Sequence, residues 1–96
     1  MNKSLLEIQI ELSDRLYKCY KSRYIMLITQ IDMLRVSIEN NSRWYIIRYA
    51  QRAIEESKVL DGYTECLYDI GFFSEDDFNK LWTFTNLVRL ECMELL

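Results

Sequence analysis

The side chains that could do chemistry are few. There is no histidine, so a general acid or base would have to be a carboxylate. Two acid pairs are candidates, Glu55-Glu56 and Asp76-Asp77. Neighbouring residues of a helix point about 100° apart, so neither pair forms a shared catalytic site. Cys19, Cys66 and Cys92 are widely spaced with no CxxC. Without histidine they make a zinc site of the usual kind untenable. They read instead as small hydrophobes on helices in a reducing compartment. No glycine-rich phosphate loop or nucleophile elbow is present. The sequence therefore points away from an enzyme, and implies no cofactor and no small-molecule substrate.

Basic and aromatic residues interleave twice. One set is Tyr17, Lys18, Tyr20, Lys21, Arg23 and Tyr24; the other is Trp44, Tyr45, Arg48, Tyr49 and Arg52. Arg48 and Arg52 share a helix face, with Trp44 and Tyr45 a turn before. Such residues bind single-stranded nucleic acid by phosphate pairing and base stacking, and they are enriched at protein interfaces. The plainer alternative is an aromatic core with snorkelling basic residues around it.

The elements that must position these residues are helices. From Ser42 to Ser74 apolar residues recur at Ile46, Ala50, Ala53, Leu60, Tyr63, Leu67 and Ile70, the stripe of one long helix. Gly71 supplies the left-handed stop. Ser74 caps the next helix, with Glu75, Asp76 and Asp77 complementing its positive end. So short a turn folds the last helix back beside the central one. That last helix carries Phe78, Leu81, Trp82, Thr85, Val88, Cys92 and Leu95 on one face. Gly62 is read as a tolerated interior glycine that gives close helix approach.

Upstream, Ser4 and Glu7 form a capping box. The stripe then runs Leu5, Ile8, Leu12, Leu16, Tyr20, Tyr24, Leu27, Ile31, Leu34 and Ile38. It predicts one helix of about 35 residues, with a break near Lys21-Ser22-Arg23 as the alternative. A second apolar set, Ile10, Tyr17, Ile25, Met26, Ile28 and Met33, widens the stripe. This helix then either sits centrally or meets another subunit, and its length would outrun its neighbours. Asn40-Asn41 ends it, and Ser42 caps the next.

Composition agrees. The 96 residues make one domain, half apolar, with two glycines and no proline, which favours long helices with few connections. The formal net charge is −3. Residues 1–60 hold ten Lys or Arg and seven Asp or Glu, giving +3, and residues 61–96 hold two and eight, giving −6. A chain basic early and acidic late can make complementary contacts within itself or between subunits. The N-terminal stretch lacks signal-peptide features, and no apolar run approaches the ~20 residues that span a bilayer. A soluble, cytoplasmic protein is expected.

The segment Leu67–Phe78, LYDIGFFSEDDF, followed by Leu81 and preceded by the small residue Ala53, resembles the last two helices of a known family. These are the four-helix-bundle proteins encoded in 23S rRNA intervening sequences, with the accessory variability proteins of diversity-generating retroelements. Leu34–Arg43, LRVSIENNSR, is similar to the family's helix-two ending, and the resemblance spans residues 27–96. This chain has a shorter loop after Ile38, lacks the proline that commonly separates the first helices, and is acidic where the retroelement proteins are basic. The resemblance implies a helical bundle without an active site that assembles into a homo-oligomer and works by contact.

The expected fold is thus an all-α antiparallel bundle of three long helices, four if the first breaks. The expected function is a non-enzymatic interaction module, an oligomerising adaptor or accessory factor. Its partners are itself, as a homodimer or larger, and another protein, through Trp44, Tyr45, Arg48, Tyr49 and Arg52. An opposing acidic surface comes from Glu65, Asp69, Glu75, Asp76 and Asp77. One alternative is a mobile-element inhibitor, anti-CRISPR-like, that blocks a host defence nuclease with the acidic hairpin. The other is an accessory protein that binds RNA or DNA.

Overall fold

Two glycines and no proline leave little to interrupt a helix, and the computed structural model shows three: α1 (Leu5–Glu39), α2 (Arg43–Asp69) and α3 (Glu75–Glu94). The structure describes residues 4–96, without the side chains of Leu5, Leu6 and Gln9; the expected core place of Leu5 lies outside that description. α1 runs unbroken through Lys21–Arg23.

Local chemistry sets the ends. Ser4–Glu7 and Ser74–Asp77 both form reciprocal capping boxes. Both turns are Schellman motifs. In the first, Asn41 takes φ 54°, and the N–H groups of Asn41 and Ser42 donate to Ile38 and Ser37 carbonyls at 3.0 Å each. In the second, Gly71 takes φ 78°, and Gly71 and Phe72 donate to Tyr68 and Leu67 at 3.0 and 2.9 Å. Ser42 stands at the N-cap of α2, but its side chain makes no capping bond. The Schellman geometry fixes that turn from the α1 side instead.

The packing order differs from one expectation: α2, not α1, is central. α1 and α3 each pack along α2, and their backbones do not approach one another. The buried positions of α2 are Ile46, Ala50, Ala53, Ser57, Leu60, Thr64 and Leu67. Their steps alternate four and three, the heptad seam of coiled-coil packing. Small residues at Ala50, Ala53 and Ser57 let both neighbours come close. Tyr20, Leu27 and Leu34 of α1 repeat every seventh residue, and Thr85, Val88 and Cys92 complete the core from α3.

The result is a long, flattened body of 58 × 27 × 15 Å. It exposes 6896 Å², where a compact chain of 11.7 kDa would expose about 5900 Å². α1 has 35 residues against 27 in α2. The difference of 8 leaves α1 overhanging by about 12 Å. Ile8 and Leu12, in phase with the stripe, are therefore exposed, as are Ile38 and Ile70 near the other helix ends. Gly62 is also exposed, and a Cβ built on it meets nothing within 4 Å; it gives no close approach inside the chain.

Candidate functional site

The structure separates the two basic-aromatic sets. In α1, Tyr17, Tyr20 and Tyr24 turn inward. Tyr17 meets Phe72 at 4.9 Å between ring centroids, Tyr20 meets Phe73 edge-on at 5.2 Å, and Tyr24 meets Phe84 at 6.0 Å. This aromatic cluster locks α1 to the α2–α3 turn and to α3. Lys21 lies over the Tyr17 ring at 5.3 Å, and Arg23 reaches Glu56 of α2 at 3.8 Å. The first set is core with basic residues around it. Burial, chiefly, pushes the Tyr20 phenol up to about 12, helped by the neighbouring Tyr24, Tyr17 and Asp77.

The second set is outside. It occupies the first three turns of α2, just past the α1–α2 turn. Trp44 is 61% exposed, and Tyr45, Arg48 and Arg52 are exposed; Tyr49 alone leans against the core. The side chains form a ladder. Trp44 and Tyr45 meet edge-on at 4.7 Å, and Tyr45 stacks with Tyr49 at 6.2 Å. Arg48 lies over the Trp44 ring at 5.2 Å and Arg52 over Tyr49 at 5.9 Å. Stacking uses the guanidinium face and leaves the N–H edge for an acceptor. All five sequence-predicted residues are brought together.

The acidic residues gather at the other end. Glu65 and Asp69 are exposed on the last turns of α2, and Glu75, Asp76 and Asp77 open α3. At 1.5 Å per residue, Arg48 and Asp69 are about 30 Å apart along α2. The two sets therefore do not meet within one chain. Asp77 is held by the Ser74 capping box, and Asp76 pairs with Lys80 at 2.9 Å. That hydrogen bond, with the carboxylate charge, raises the Lys80 pKa.

One constellation has no precedent in the sequence pattern. Between α2 and α3, both oxygens of Asp61 are engaged, one by Thr85 Oγ1 and the other by Arg89. Arg89 also donates to Ser57 Oγ at 3.3 Å and to Asn86 Oδ1. An acid and a base 28 residues apart carry no local signal. Only their places beside the heptad seams of α2 and α3 could have suggested the pair.

The cysteines divide. Cys92 is buried, while Cys19 and Cys66 are exposed rather than apolar filler. Among the described residues, no group of three His, Cys, Asp or Glu side chains could hold a metal. No helix of the described residues is long and apolar enough to cross a membrane. The fold and its outward ladder define an all-α three-helix bundle with a basic-aromatic face at one end and an acidic tip at the other. No family model, curated protein or solved structure matches the chain.

Proposed function

We propose that the protein is a non-enzymatic interaction module of the cytoplasm, an oligomerising adaptor or accessory factor that acts by contact with itself and with another protein. The observation that carries this reading is the α2 ladder. Trp, Tyr and Arg are the residue types that dominate protein contacts. Here they stand together and pre-stacked on one helix, all but Tyr49 exposed. Beyond the ladder, Ile25, Leu87, Leu90 and Met93 are each more than half exposed, which is surface suited to association.

The test is photo-cross-linking from a benzophenone side chain placed at Tyr45, in the native cell extract, with solution mass measured in parallel. The expected result is a discrete protein adduct that disappears with Arg48→Ala and Arg52→Ala, in a chain whose helicity is unchanged. A chain that stays monomeric and gives no discrete adduct would end the reading. Adducts with RNA or DNA, weakening steeply with salt, would replace it with the nucleic-acid alternative.

The grouping of five exposed acids at the α2–α3 end favours a second reading, an inhibitor that presents this tip to a basic groove of a host nuclease. Charge reversal at Asp69 and Asp76, which leaves the Ser74–Asp77 capping box in place, would then abolish inhibition and leave the fold intact. Inhibition unchanged by those reversals would remove that reading.

A further inference from the structure

The outermost stripe of α2 is defined by its own heptad. The seam Ile46, Ala50, Ala53, Ser57, Leu60, Thr64, Leu67 is buried, so the positions farthest from it are Arg48, Glu55, Gly62 and Asp69, each seven residues from the next. All four are exposed. This stripe is complementary to itself when reversed. Arg48 and Asp69 are centred on the Lys58–Val59 bond, Arg48 ten residues before Lys58 and Asp69 ten after Val59. Glu55 and Gly62 have the same midpoint. The arginine of the stripe thus has an acid at the mirror position, and the interior glycine faces a long side chain.

We infer that a second copy of this chain covers the outer face of α2, antiparallel, with the twofold axis passing beside Lys58 and Val59. Arg48 of each copy then meets Asp69 of the other. A parallel pair would set arginine on arginine and acid on acid, which opposes that arrangement. Gly62 gains a reason. An exposed helix-interior glycine costs about 1 kcal/mol relative to alanine, and nothing inside the chain lies near it. Across the twofold it makes room for Glu55. Val59, exposed in the single chain, becomes the apolar centre. The two Lys58 side chains flank the axis one turn from the opposite Glu55. A closed twofold pair is also the commonest assembly of identical chains. The seam is one helix wide and about 40 Å long, at the small end of specific interfaces. The dimer is therefore weak and salt-sensitive.

This inference rests on the self-association proposed above and adds the face, the symmetry and the register. The experiment is sedimentation equilibrium on the full chain, with helicity checked by circular dichroism. The wild-type chain is expected to dimerise more weakly as salt rises. Arg48→Glu alone and Asp69→Arg alone each weaken the dimer at least tenfold, because like charges then face one another. An equimolar mixture of the two single variants recovers association, as does the chain carrying both changes. Only a twofold pairing of residues 48 and 69 predicts recovery on mixing. Dimerisation of both single variants at wild-type strength would overturn the inference and leave self-association to another face. A wild-type chain monomeric at millimolar concentration and low salt would overturn both.

Discussion

The Arg89 guanidinium on α3 reaches across the bundle to the Asp61 carboxylate on α2, whose second oxygen accepts from Thr85. Both side chains of the ion pair are largely withdrawn from water, at 16% and 14% exposed. The pair is the polar bolt of an otherwise heptad-packed interface. Apolar heptads alone tolerate a slip of one repeat along the partner helix. A fixed acid-base pair, flanked by the bonds from Arg89 to Ser57 and from Thr85 to Asp61 that also cross between the helices, does not.

Removing one partner leaves the other charge largely buried and uncompensated. Asp61→Ala or Arg89→Ala is expected to lower unfolding free energy by about 2–3 kcal/mol, below the range for fully buried pairs because some solvent reaches this one. The joint change Asp61→Leu with Arg89→Met should cost far less than the sum of the two alanine changes. Urea denaturation of the four chains measures this. Additive losses would show that the two residues act separately.

The central helix predicts opposite signs at two of its small residues. Ala53 is fully buried in the seam, so Ala53→Leu should overpack it and cost about 1–3 kcal/mol. Gly62 has open space around it, so Gly62→Ala should stabilise the single chain by about 1 kcal/mol. Denaturation at high salt and low concentration isolates the monomer for this comparison.

Much of this fold was legible in the sequence. The two stops at Asn41 and Gly71, the box at Ser4 and the cap at Ser74 are local features, and each formed as its residue types require; that Asp77 closes a second box at Ser74 is added by the structure. What was not legible depends on partners. Ile8 and Leu12 keep phase with the stripe, but phase does not say whether a neighbouring helix extends so far. Ser57 and Thr64 are fully buried although their types suggest surface. Their hydroxyls are satisfied locally: Ser57 donates to the Ile54 carbonyl at 2.7 Å and Thr64 to Leu60 at 2.9 Å. Such back-bonding lets a hydroxyl residue fill a heptad seam without an unmet polar group. The ladder was legible because it lies within three turns of one helix; the Asp61–Arg89 pair was not, because it joins two.

Leu12 and Leu27 offer a direct test of the overhang. They share one stripe, yet Leu27 is fully buried and Leu12 is exposed. Leu27→Ala should cost about 2–5 kcal/mol, and Leu12→Ala within about 0.5 kcal/mol. Thermal unfolding of the two variants separates them, and equal losses would place the first turns of α1 in a packed environment.

Thiol chemistry should divide the cysteines in the same way. Burial, with the charge of Glu91 beside it, pushes the Cys92 thiol above its ordinary value, so little thiolate forms near neutral pH. Cys19 and Cys66 are exposed. At pH 8 an aromatic disulfide reagent should modify Cys19 and Cys66 promptly and Cys92 at least tenfold more slowly, the difference vanishing in denaturant. Peptide mapping assigns the sites, and equal rates in the folded chain would contradict the burial of Cys92.

Tyr20 ties the aromatic cluster to pH. Its phenol is pushed up from 10.0 to about 12, so between those values the folded chain holds a proton that the unfolded chain has lost. Stability therefore falls as pH rises through this window. The contribution is fully present below pH 10 and is lost by about pH 12, in total of the order of 2 kcal/mol. Tyr20→Phe should keep the packing and remove this part of the decline. Urea unfolding of both chains at pH 9 and pH 11.5 reads the difference. Wild type should lose more stability between the two than the phenylalanine chain, and parallel losses would mean that Tyr20 ionises freely in the fold.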